Sequence, residues 1–367
     1  MSLELRRRLM GGGITYKGVP MTLRNIGAEN AIISLSTTTN PLLYVKCEND
    51  SFYRKWDYSS ISLYPSQTVC FFGENSTIDS TFIVEGNTLL HLDGKLESLC
   101  HNKIIGAGAF RSLFKNVTQL FSVGDVMPNT DIIEKSSPNL QNIYDSLFYG
   151  TSIECIPSDF IKETRSFSWA QGGMYKSMFA FCKNLKTIPK DLFAKQTKSG
   201  YGSYKSMFEG CENLQVAADV YFKTQGFDTT NAMYKGCKNI EDVTIYTENM
   251  SSNHCMMNFA YGATKLKRIE IRASANANWG IYFNAMSGCT SIEEVIVHFT
   301  SWLPKSNPTY GICQDWMSDV PSIGVFRCPQ ELADATDGYY DEEGNFVAGV
   351  GRSDDTIPVG WEIQIID

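Results

Sequence analysis

The sequence predicts an α/β solenoid of helix-plus-strand repeats, preceded by a small all-β sandwich domain. Two features point to it. A Tyr-Lys-Ser-Met-Phe-x-x-Cys-x-Asn-Leu pattern recurs at residues 175–185 and 204–214 and, shortened, at 233–240. Weaker copies extend it, and the closing aliphatic residues Leu120, Ile153, Leu185, Leu214, Ile240, Leu266, Ile292 and Ile323 stand 33, 32, 29, 26, 26, 26 and 31 residues apart. Eight units with a period near 30 mark a stacked array. Upstream of these copies the chain carries short β-patterned runs instead.

Along the chain, residues 1–13 read as a docking arm. Arg6, Arg7 and Arg8 sit in a short basic segment that ends at Gly11, Gly12 and Gly13. No apolar stretch follows the arginines, so the segment does not read as an export signal; a basic arm on a glycine hinge suits docking to a larger assembly. Residues 14–103 read as the sandwich. Apolar runs around Leu23, Ile33, Leu43, Val45, Ile61, Leu63, Val69, Phe71, Phe82 and Val84 are broken by polar turn clusters at 37–41 and 73–76. Short strands about ten residues apart favour an antiparallel sandwich, with Trp56 in its core.

Residues 104–328 read as the solenoid of about eight units. Tyr204, Met207, Phe208 and Cys211 stand at i, i+3, i+4 and i+7, the spacing of one helix face. Lys205 and Glu209 fall on the opposite face as an i, i+4 pair. Gly210, Gly236, Gly262 and Gly288 end so short a helix. A strand follows each closing residue: Val243 and Ile245, Ile269 and Ile271, Val295 and Val297 lie three and five residues beyond it and point inward. One helix and one strand cannot bury their apolar faces alone, whereas stacked units can. Residues 329–367 change character, with an acidic loop and a closing strand near Trp361, and read as the C-terminal cap.

Composition narrows the function classes. The 367 residues carry 32 Lys and Arg against 40 Asp and Glu, a net charge of −8. That disfavours nucleic acid as a partner, which needs a concentrated basic surface. No apolar run is long enough for membrane insertion. Four His and eleven Cys without a CxxC spacing give no metal motif, and neither a GxSxG elbow nor a phosphate-binding loop is present, so no cofactor, metal or catalytic residue is assigned. Cys182, Cys211, Cys237 and Cys289 occupy equivalent repeat positions. They read as small buried free thiols, kept apart by helical layers more than the roughly 7 Å a disulfide tolerates.

The candidate ligand-binding residues lie on the outward face of the predicted parallel strands. The inward register sends Thr244, Glu270, Ile296 and Arg327 outward in one row and Tyr246, Arg272 and His298 in the next. Strands about 4.8 Å apart would make Tyr246, Arg272 and His298 one patch. An aromatic face beside a guanidinium suits a sugar or an anionic group. Trp169, Trp279, Trp302 and Tyr310, in the longer loops, are further candidates for exposed contact.

The helix-plus-strand units are leucine-rich-repeat-like, and the Tyr-Lys-Ser-Met-Phe-x-x-Cys-x-Asn-Leu pattern resembles the BspA-like (Treponema-type) leucine-rich repeats over about residues 110–328. The order of basic arm, β domain, repeats and Ile-Pro-x-Gly-Trp ending at 357–361 resembles fibre and appendage proteins of Bacteroidetes phages, crAss-like ones included. The resemblance implies a non-enzymatic virion protein, docked to the particle by its N-terminal region and touching a host cell-surface glycan or protein with its repeats. Its partners would be other virion proteins and copies of itself, a trimer being the form to expect, and it would assemble in the host cytoplasm. The alternatives are a BspA-like adhesin on a bacterial surface and a glycan-degrading enzyme on an appendage. The enzyme would need two carboxylates about 5–10 Å apart in a cleft, and no such constellation is recognisable.

Overall fold

The computed structural model describes residue 16 and residues 18–100, 107–128, 141–161, 172–196, 200–250, 254–273, 281–302 and 313–366. The first eight strands are β1 (Met21–Asn25), β2 (Ala31–Thr37), β3 (Leu43–Cys47), β4 (Arg54–Lys55), β5 (Ile61–Leu63), β6 (Thr68–Gly73), β7 (Ser80–Glu85) and β8 (Leu90–Asp93). They form two antiparallel sheets, ordered β4-β3-β6-β1-β8 and β5-β2-β7. Alternate residues of β1, β2 and β7 are buried, as the two-residue period of a half-covered strand requires. The sheets meet through Phe71 of one and Phe82 of the other, ring centroids 5.2 Å apart, with Trp56 against both.

The repeats follow without a break in the core. Strand β9 (Leu120–Val123) pairs parallel to β8, so the larger antiparallel sheet runs directly into the coils. Strands β10 (Val220–Gln225), β11 (Asp242–Met250), β12 (Arg268–Ala273), β13 (Glu294–Val297) and β14 (Val325–Cys328) then stack side by side in one parallel sheet. Between β9 and β10 the described residues form no named strand and join through isolated contacts, such as the parallel bridge of Cys155 with Thr187. After β14 come helix α1 (Gln330–Asp337), the two-residue strands β15 (Tyr339–Tyr340) and β16 (Phe346–Val347), and β17 (Glu362–Ile365), which adds to β14 in parallel. A single apolar cluster runs from Met21 to Trp361. The fold is mostly β, with a parallel sheet built by successive repeats.

The helices expected in each unit are absent from the described repeats, and this corrects the α/β expectation. The residues of the apolar stripe are buried as the pattern requires: Tyr204, Met207, Phe208 and Cys211 are fully covered. Their backbone, however, is a ribbon of overlapping tight turns. Every fourth residue has positive φ, as at Gly202 (56°), Ser206 (55°) and Gly210 (71°). Alternate amides close turns within the coil, Met207 to Tyr204 and Glu209 to Ser206, while the intervening ones donate to the next coil, Ser206 to Asn231 and Phe208 to Met233. An α-helix would spend those amides on its own chain; the ribbon instead bonds neighbouring coils together.

That bonding also corrects the expected spacing. Coils joined by direct amide bonds lie much closer than packed helices, which stand 8–10 Å apart. Two ladders of rings exploit the approach. Phe110, Tyr144, Tyr175 and Tyr204 stack at 5.9, 5.4 and 5.4 Å. Phe82, Phe114, Phe148, Phe179, Phe208 and Tyr234 continue the second ladder at 5.2–5.9 Å, all within 18° of parallel. Where Ala260 leaves this column without a ring, Phe259 meets Tyr234 edge-on at 5.4 Å. The thiols of Cys182, Cys211, Cys237 and Cys289 each donate to a carbonyl of the preceding coil, at 3.0–3.2 Å. Lys205 and Glu209 do not pair with each other. They bridge coils, to Asp228 at 2.7 Å and Lys235 at 3.2 Å.

Both ends of the amide ladder are closed by other parts of the chain. At the start, the amides of Ile78 and Phe82 donate to Ala109 and Leu113 of the first ribbon. At the finish, the amides of Asp315 and Met317 donate to the Asp355 carboxylate and the Asp354 carbonyl.

Candidate functional site

The outer face of the parallel sheet carries the candidate site. Parallel register sets Asp242 beside Arg268 and Arg268 beside Glu294, and one step along it sets Thr244, Glu270, Ile296 and Arg327 in a row. In the first row, Arg268 donates through Nη1 to Asp242 and through Nε to Glu294, each at 3.0 Å. Lys190 reaches Asp242 at 3.0 Å, and Arg327 reaches Glu294 at 2.8 Å. Charges of alternating sign thus run from Lys190 to Arg327 across the strands. Each partner's field offsets its neighbour's loss of hydration.

Glu270 is the hub of the second row. It is only 6% exposed. Arg268 Nη2 donates to its Oε2 at 2.7 Å, Arg272 Nε donates to its Oε1, and His298 Nε2 lies 3.3 Å from Oε1. Burial alone would push this carboxyl up, but Arg272, Arg268 and His298 outweigh it and hold it at about 2. The same competition, won by Lys190 and Arg268 over burial, lowers the Asp242 carboxyl. Glu270 is therefore a fixed anion that orients the cations above it.

The predicted residues Tyr246 and Arg272 are register partners on β11 and β12, and His298 lies one residue beyond β13, its amide bonded to Ile271 at 3.1 Å. Tyr246 is 38% exposed, and its ring is 6.1 Å from that of Tyr221 on β10. The outward row is thus Tyr221, Tyr246 and Arg272, all exposed, with the half-buried His298 at its end. Arg272 keeps half of its side chain in solvent while anchored at Nε, which leaves the guanidinium edge open for a planar anion.

Sequence reasoning missed Tyr221 and Arg268. Tyr221 was missed because Val220 lies six residues past Leu214, not five as Ile245 lies past Ile240, so the strand falls out of step with its neighbours. It also placed Glu270 outward without its cover of arginines. Trp302, expected in an exposed loop, is 4% exposed and donates to Thr336 Oγ1 at 2.8 Å. Trp169, Trp279 and Tyr310 lie outside the described residues, as do Arg6, Arg7 and Arg8 of the docking arm. Among the described residues no group of His, Cys, Asp and Glu is arranged to hold a metal ion, and no helix is long and apolar enough to cross a membrane.

No family model matches the chain, and no curated protein matches it. Among solved structures it is similar to a leucine-rich repeat protein from Bacteroides ovatus, at 12% identity over 70% of this chain and 80% of that one, with a TM-score of 0.19. At that score the likeness carries no argument. The repeat fold rests on the register and the ring ladders of this chain itself.

Proposed function

We propose that the chain is a non-enzymatic contact protein of a phage particle, an appendage or fibre subunit built on BspA-like repeats. Its N-terminal region, with Arg6, Arg7 and Arg8, docks to other virion proteins, and the outer sheet face touches a glycan or protein of the host surface. The observation that supports contact most directly is the row of Tyr221, Tyr246, Arg272 and His298. Two exposed rings and an anchored guanidinium stand on a sheet whose charges are already paired beneath them. Such a face is held in place before a ligand arrives, which lowers the ordering cost of binding. Assembly as a homo-oligomer, a trimer among the options, belongs to the same proposal.

The test is adsorption. Purified protein should compete with particles for host cells, and Tyr246→Ala combined with Arg272→Ala should abolish the competition while leaving the melting temperature within a few degrees. Unchanged competition by a folded double variant would sink the sheet-face reading. Density for this chain on an assembled particle checks the docking half independently.

A further inference from the structure

The turn ribbons carry a notch that the sheet face does not share. The position that opens each ribbon is equivalent from coil to coil and has positive φ throughout: Asn142, Gly173, Gly202, Asp228 and His254 at 54°, 67°, 56°, 56° and 57°. Two successive coils place glycine there, between coils that place Asn142 and Asp228. Where those side chains would stand is a cleft of about 460 Å³, within the range of small-molecule sites. Its two glycine coils, at strand-like spacing, leave a gap of about 10 Å between side-chain walls. Asn142 Oδ1 lies 2.0 Å from where a Cβ on Gly173 would sit, so the amide closes one wall.

The lining has a definite chemistry. Tyr201 is 47% exposed and lies flat on Phe227, rings 5.1 Å apart and 0° between planes. Its side chain lines the cleft, and among the described residues it stacks on no ring but that of Phe227. Lys205 is committed to Asp228 at 2.7 Å, whereas Lys176 makes no ion pair with any described residue. Gln141 and Asn142 bring amides that both donate and accept. An aromatic platform for an apolar ring face, amides for hydroxyls and one uncommitted ammonium for a carboxylate together match one ligand class. We infer that this cleft binds a single acidic sugar residue, a hexuronate or its like, with Tyr201 beneath the ring and Lys176 on the carboxylate. The cleft is a second contact, separate from the sheet face, and it takes only its biological setting from the appendage reading proposed above. The cleft itself is tested without cells.

The full chain is titrated calorimetrically with glucuronate, with methyl glucoside as the neutral match and inorganic phosphate as the bare anion. Saturable binding of glucuronate, at least tenfold tighter than either control, is expected. Tyr201→Ala should abolish it, and Lys176→Ala should weaken it at least tenfold and erase the preference over methyl glucoside. Gly202→Asn should also abolish it: asparagine tolerates the left-handed backbone, a Cβ there meets only Lys205 Cβ at 3.9 Å, and the amide fills the notch as Asn142 fills its own coil. Tyr201 and Lys176 are exposed, whereas Gly202 is buried; unchanged circular dichroism checks the fold of all three variants, and if Gly202→Asn misfolds, the other two decide. No saturable glucuronate binding, phosphate binding as tight as glucuronate, or variants that all bind like wild type would each overturn the assignment. Adsorption that fails while glucuronate still binds would instead count against the host-contact reading alone.

Discussion

Phe208 lies flat on Phe179, ring centroids 5.8 Å apart and planes 7° from parallel, in the coils that carry residues 204–214 and 175–185. Both rings are fully buried, so each coil supplies half of its neighbour's core. Phe208→Ala should cost about 3–5 kcal/mol, from lost burial and the void left between Phe179 and Tyr234. Chemical denaturation measures it; a change below about 1 kcal/mol would contradict the ladder.

Glycine substitution separates the turn ribbon from a helix by the sign of its effect. In a helix interior, Gly→Ala stabilises by about 1 kcal/mol. Gly262 has φ of 70°, and nothing lies within 4 Å of its would-be Cβ. Gly262→Ala should therefore destabilise by about 1–2 kcal/mol from backbone strain alone. Gly210→Ala should cost more, because its Cβ would come 2.7 Å from the Phe181 ring. Thermal melts of the two variants give both sign and order.

Acid stability follows from Glu270. Its carboxyl is held down at about 2 in the folded chain, against 4.5 ordinarily. A depressed carboxyl contributes stability that is complete above the ordinary value and is lost as pH falls toward the folded one. The wild type should lose up to about 3 kcal/mol from this group between pH 5 and pH 2. Glu270→Gln, less stable at neutral pH, should show a shallower loss across that window. Equal slopes in denaturant titrations at several pH values would refute the role of the hub.

Thiol labelling should report coil opening. Cys155 is exposed, Cys47 and Cys70 are half-buried, and the other eight are buried. Burial pushes Cys182 up to about 11 and Cys289 up to about 12, so little thiolate forms near neutrality. A native sample should show one fast reaction, removed by Cys155→Ser, with the eight buried thiols reacting only as the chain unfolds. Fast labelling of several thiols in the native state would exclude the packed column.

Which residues face inward was legible from the sequence, while the backbone that carries them was not. Over eight residues, two-in and two-out at a period of four places Tyr204, Met207, Phe208 and Cys211 where a helix of period 3.6 places them. The discriminating signal was the small or polar residue every fourth position, Gly202, Ser206 and Gly210, which marks left-handed turns and not a helix end. Strands β11 to β13 were legible because their offsets from Ile240, Leu266 and Ile292 are constant, and β10 was lost through its longer link. The outward placement of Tyr246, Arg272 and His298 follows from that register. The burial of Glu270 does not, since it depends on how Arg268 and Arg272 fold over the sheet. Trp302 was misplaced for a related reason: its cover, including Thr336, comes from a distant stretch of chain.

The closed ends of the amide ladder fix the molecule's length from within. Ile78 and Phe82 occupy the Ala109 and Leu113 carbonyls of the first ribbon, and Asp354 and Asp355 occupy the Met317 and Asp315 amides of the last, so these rungs of the ladder are closed to a second molecule. Whole interior coils could be gained or lost while both terminators stay in place, which makes reach a property that can change by single-coil steps without creating an open, polymerising end.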